Sequence, residues 1–183
     1  MVNEGIMKKI YFSCLALGFI FNVYANSDLI PPPPTALQAD SIECNQNGGT
    51  LFAATVISNP KYSSGKLQRG VELSHTHINV VPLGEKQSAN NIYDVAIDNV
   101  YAMDYDVSQP YKQVPESLTN LKIGTNIELC GQPYSQGGGI HWVHSNCGQK
   151  KTAAKPDGSI KIINVDGTLS NSLTDNQEYC TIF

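Results

Sequence analysis

The sequence predicts an all-β protein, a small Greek-key barrel with little helix. From Thr50 onward, Gly, Pro, Asn and Ser interrupt the chain at roughly ten-residue intervals, with β-branched runs between them. No long segment carries the apolar period of a helix. One stretch alternates cleanly, with Tyr93, Val95 and Ile97 set for a core and Asp94, Ala96 and Asp98 for water. Short strands with few helices fit a barrel slightly better than a sandwich, because closure removes exposed edges.

At the N-terminus, Lys8 and Lys9 precede the apolar run 10–21, and Ala25 offers a cleavage point, so 1–25 is expected to be a signal peptide, with Met7 as its start. The apolar run is too short for a spanning helix, so no membrane span is expected. Residues 26–43, with Pro31, Pro32, Pro33 and Pro34, read as an extended Pro-rich leader. Residues 44–183 are then a single β-barrel domain, with candidate strands at 50–58, 71–81, 92–100, 126–132, 139–145 and 159–165. Pro115 can start one short helical turn across 115–121. Gly124 and the run Gly137, Gly138 and Gly139 supply glycine where a curved barrel needs it.

Composition narrows the function classes. Only 15% of the residues are charged and the formal net charge is −4, which argues against a nucleic-acid partner. An apolar content of 41% supports a globular core. After the signal, Cys44, Cys130, Cys147 and Cys180 remain, and an even number in an exported chain implies two disulfides, with three possible connectivities. No Cys-x-x-Cys pair points to metal.

The segment 130–147 is the most informative. It reads as two strands joined by the Gly137-Gly138-Gly139 turn, which brings Cys130 towards Cys147 and leaves Cys44 with Cys180 by exclusion. Period two sets Ile140, Trp142 and His144 on one face and His141, Val143 and Ser145 on the other. In this reading Trp142 is a mostly buried anchor with His144 beside it, the ordinary structural role of a lone Trp in a small β domain. The functional reading is a ligand-binding patch of Tyr134, His141, Trp142 and His144.

Gly138-Gly139-Ile140-His141-Trp142-Val143-His144, after Gly124-Thr125-Asn126-Ile127, resembles domain-of-unknown-function family 3465. Those small exported bacterial proteins carry an Ile-His-Trp-Thr-His signature. Val143 stands where the family has Thr, and Ser159 where it has Trp. The resemblance covers roughly 92–162 and implies an exported OB-like barrel with no established activity.

His75 and His77 share one strand face about 6.6 Å apart, a spacing open to zinc or copper if Glu72, Asp94 or His141 completes the shell. Two histidines alone fix no geometry, so no cofactor is expected. No nucleophile elbow, His-Glu-x-x-His or phosphate loop is present. The leading expectation is an exported, periplasmic or secreted, noncatalytic binding domain and a monomer, taking an unidentified ligand such as an oligosaccharide or a protein. One alternative is a metal-dependent, nuclease-like hydrolase using His75, His77, His141 and His144, with Asp94, Asp98, Asp104 or Asp106. The other is a structural, envelope-associated protein.

Overall fold

A computed structural model describes residues 34–108 and 112–182. The expected signal peptide and Pro31 to Pro33 lie outside the described residues. One helix, α1 (Pro34–Gln46), precedes seven strands: β1 (Thr50–Val56), β2 (Lys61–Gln68), β3 (Val71–Pro82), β4 (Tyr93–Asp98), β5 (Asn126–Pro133), β6 (Gly139–His141) and β7 (Ser159–Ile162).

Five strands close a barrel in the order β1-β3-β4-β6-β5 and back to β1, with β2 added beside β3 and β7 beside β5. All pairings are antiparallel except β4 with β6. The small all-β barrel read from the turn spacing is the fold observed. In β4, Val95 and Ile97 are fully buried as expected, whereas Ala96, expected to face water, is also buried and Tyr93 is only half-buried. With Ala54, Val56, Ile78, Val80, Ile127, Leu129, Ile140 and Ile160, Val95 and Ile97 fill the interior. A polar link crosses that interior, where Thr76 donates to Asn99 (2.6 Å) and Asn99 donates to Ser74 (3.0 Å). These bonds satisfy buried polar groups that would otherwise cost stability.

The helical turn expected after Pro115 is a 3-10 turn at Glu116–Leu118, whose backbone N–H groups donate to Asp104. Two elements differ from expectation. The stretch anticipated as extended polyproline is helical from Pro34, consistent with proline's fixed φ at a first helical position. The strand β2 is absent from the expected set, because Lys61–Gln68 is polar and almost entirely exposed. It is an edge strand paired only with β3, and the exposed Lys61 and Lys66 blunt that edge.

The disulfides correct the expected pairing: Cys44 joins Cys130 and Cys147 joins Cys180, with Cα separations of 5.7 and 5.2 Å. The hairpin register, Gln132 opposite His141, would set Cys130 across from Val143 and not Cys147. Moreover β6 ends at His141, and Trp142 takes a left-handed backbone (φ 56°) that turns the chain away. Cys130 is therefore free to fasten α1 onto β5, while Cys147 fastens the C-terminal segment. Non-reducing peptide mapping is expected to return Cys44–Cys130 and Cys147–Cys180 peptides. The paired change Cys44→Ala with Cys130→Ala is expected to lower stability by about 2–5 kcal/mol in urea denaturation.

Candidate functional site

On the outer face of the barrel, β3 and β4 set His75 directly opposite Asp98 and His77 opposite Ala96. His75 Nε2 lies 2.6 Å from Asp98 Oδ1. Ala96 is too small to fill the space opposite His77, and the imidazole leans diagonally to donate from Nδ1 to Asp94, 3.0 Å from both carboxylate oxygens. Tyr134 donates to the same carboxylate from the other side (2.6 Å). Its ring passes over Gly139, where a Cβ would come within 2.6 Å of both the Tyr134 ring and the Asp94 carbonyl. Glycine at 139 is a condition of that bond. Burial, and then the hydrogen bond to Asp94, push the Tyr134 hydroxyl well above its usual value.

The left-handed turn at Trp142 overturns the expected faces. Val143 enters the core fully buried, and His144, at 2% side-chain exposure, swings to Asp98 with Nε2 2.9 Å from Oδ2. His144 Nδ1 donates to the Ser145 carbonyl at 2.7 Å. Both ring nitrogens thus face oxygen atoms. Trp142 is half-buried and stands outside the core, contrary to the expected buried anchor. It stacks on one face of His144 (5.1 Å between centroids), while Tyr101 stacks on the other (3.9 Å, planes 7° apart).

Burial alone would push the Asp98 carboxyl up, but His144 and His75 outweigh it and hold Asp98 well below the usual carboxylate range. The partnership with Asp98 raises His75 against the opposing effect of burial. His141 meets the Tyr134 ring edge-on (5.3 Å), and burial lowers its pKa.

Tyr101, Trp142, His144 and Asp98 line a groove of about 280 Å³, with Tyr179 and Lys155. Of the buried side-chain polar atoms without a hydrogen-bond partner among the described residues, Trp142 Nε1 and Asn146 Oδ1 border this groove. Native proteins seldom leave such atoms unmet.

His75, His77, Tyr134, His141, Trp142 and His144 are thus linked through Asp94, Asp98 and their own rings, whereas Asp104 accepts from the 3-10 turn and Asp106 from Ser108. The linked residues do not converge on a point: each histidine contact runs to a carboxylate, a carbonyl or a ring. Among the described residues no three His, Cys, Asp or Glu side chains form a group able to hold a metal ion. Of the shell candidates for His77, Asp94 reaches it, whereas Glu72 accepts instead from Tyr62 and the Gly65 N–H. Tyr101 is the residue that sequence reasoning missed; it sits on a 3-10 turn (Asn99–Tyr101) whose position depends on the internal Asn99 bonds. Comparison with protein-family models, curated proteins and solved structures finds no match to the chain.

Val143→Ala is expected to cost about 2 kcal/mol as a core truncation, and Trp142→Ala less, both read by urea denaturation. Asp98→Asn strands a buried imidazole and is expected to cost about 3 kcal/mol near pH 5. Asp98 is depressed, so its contribution is present above its unfolded value of 3.8 and lost as pH falls towards the folded one. His75 is raised, so its contribution is complete below 6.5 and lost as pH rises through the folded value. The difference between wild type and Asp98→Asn is therefore expected to peak between those two pH values and to narrow on either side.

Proposed function

We propose that the protein is an exported binding domain of OB type that takes an oligosaccharide in the groove over Tyr101, Trp142 and Asp98. The observation that carries the reading is a groove in which two unmet buried polar atoms, Trp142 Nε1 and Asn146 Oδ1, stand beside stacked aromatic rings and an ionised carboxylate. A sugar presents apolar C–H faces that pack on aromatic rings and hydroxyls that both donate and accept, so it complements such a surface. The barrel order, with the single parallel pair between β4 and β6, supports the OB assignment, and OB barrels bind oligosaccharides on one face. Two disulfides suit an oxidising compartment, periplasmic or extracellular, as the Lys8–Lys9 signal suggests. The described residues contain no helix long and apolar enough to cross a membrane. Acidic net charge disfavours nucleic acid, and the resemblance to family 3465 is in keeping with an exported barrel.

His77 supports a second reading, hydrolysis. Asp94 orients its Nδ1, Nε2 has no partner among the described residues, and the side chain is 37% exposed, the disposition of a general base.

A glycan array probed beside single-stranded oligonucleotides separates the readings. Wild type is expected to retain a glycan class, Trp142→Ala and Asp98→Asn to lose at least about tenfold in affinity, and oligonucleotides to fail. Release of product from the retained glycan, abolished by His77→Ala, would replace binding with hydrolysis. A blank array would overturn the oligosaccharide reading.

A further inference from the structure

A third unmet polar atom lies elsewhere. Glu128 on β5 is 3% exposed, and its Oε2 is buried without a hydrogen-bond partner among the described residues. It lines a second pocket, of about 180 Å³, beneath α1. Asp40 and Glu43 of α1, Asp157 and Asp175 of the flanking loops, and the Cys44–Cys130 disulfide complete the wall. Against five carboxylates stands Lys161, opposite Glu128 on β7, while Lys151 pairs with Asp157 at 3.1 Å. We propose that this pocket binds a small alkyl amine whose ammonium group docks on Glu128 and Asp40.

A metal ion fits less well, because no three acidic side chains among the described residues gather closely enough to hold one. An ammonium group needs fewer contacts and offers three donors to separated carboxylates. The volume also exceeds that of a lone ion and is on the scale that accommodates a small organic molecule.

Glu128 adds a proton signature. Burial, then the neighbouring Asp40 charge, push its carboxyl up to about 7, against the opposing pull of Lys161, with a side-chain hydrogen bond shared with Asp40 and the Glu43 charge adding to the rise. The amine displaces the proton held between the two carboxyls. An ammonium partner favours the carboxylate, so binding near neutral pH expels a proton. At acid pH the amine must first displace that proton, and affinity falls.

Titration calorimetry of the full chain with putrescine tests the proposal at pH 8, 7 and 5.5, in two buffers of different ionisation enthalpy. Saturable binding at pH 8 is expected, weakening by about tenfold or more at pH 5.5, with proton release at pH 7. Glu128→Gln is expected to lose about tenfold at pH 8 and to flatten the pH dependence. That variant should also melt higher than wild type at pH 8, because it removes a buried carboxylate, which separates loss of binding from loss of fold. Glu43→Gln, at an exposed position on α1, is expected to weaken binding by only about twofold to threefold. No saturation at millimolar putrescine, unchanged affinity in a folded Glu128→Gln, or calcium occupying the pocket in putrescine's stead would overturn it.

Discussion

A carboxylate that burial would neutralise is kept ionised by two imidazoles, and the functional half of the molecule is arranged around that need. Asp98 is fixed by the β3–β4 ladder opposite His75, which serves one of its oxygens. The other oxygen is served by His144, which belongs to neither strand. For His144 to arrive, β6 stops after three residues and Trp142 takes a left-handed backbone. The same turn drives Val143 into the core and leaves Trp142 stacked over the imidazole. Beneath it, Tyr101 completes the sandwich, and its position is secured from inside the barrel through Asn99.

Close approach at two glycines lets the surrounding strands accept this arrangement. At Gly139 the missing side chain admits the Tyr134 ring, which ties Asp94 to the hairpin. At Gly158, where the chain enters β7, a Cβ would fall within 2.5 Å of the Cys130 carbonyl and against the Trp142–His144 turn, and the Gly158 N–H donates to the His144 carbonyl at 2.8 Å. The Cys147–Cys180 bridge then holds the far end of the turn to the C-terminal segment, whose Tyr179 borders the groove. On the opposite side of β5 the Cys44–Cys130 bridge clamps α1 over Glu128. The two disulfides thus shape the two concave surfaces.

Much of the barrel is legible in the sequence because period-two alternation reports burial directly. In β4 the sequence places Val95 and Ile97 inward and Asp94 and Asp98 outward, as found, and that alone puts both carboxylates on the face that carries His75 and His77. Alternation fails where it is interrupted. Extended past His141 it predicts a strand to 145 and a buried Trp142, which one left-handed residue invalidates, and the expected Cys130–Cys147 bridge fails already on the hairpin register. No local pattern announces a positive φ at tryptophan, since the turn is imposed by the pairing of His144 with Asp98 across 46 residues of chain. The edge strand β2 escapes notice for a different reason: with no buried face, Lys61–Gln68 has no apolar alternation to read. Prolines at 31–34 mask α1 in turn, although a proline in the first turn leaves the rest of a helix free to form.

Carbon-13 NMR titration of the Asp98 carboxyl tests the account most directly, because the site's geometry rests on that group being ionised between two imidazoles. The carboxyl resonance is predicted to hold its ionised position down to about pH 3, well past the range in which a free aspartate takes up its proton. His75→Ala should move the midpoint upward by removing one of the two partners. A wild-type midpoint near pH 4, unchanged in His75→Ala, would contradict the pairing and with it the explanation for the turn at Trp142.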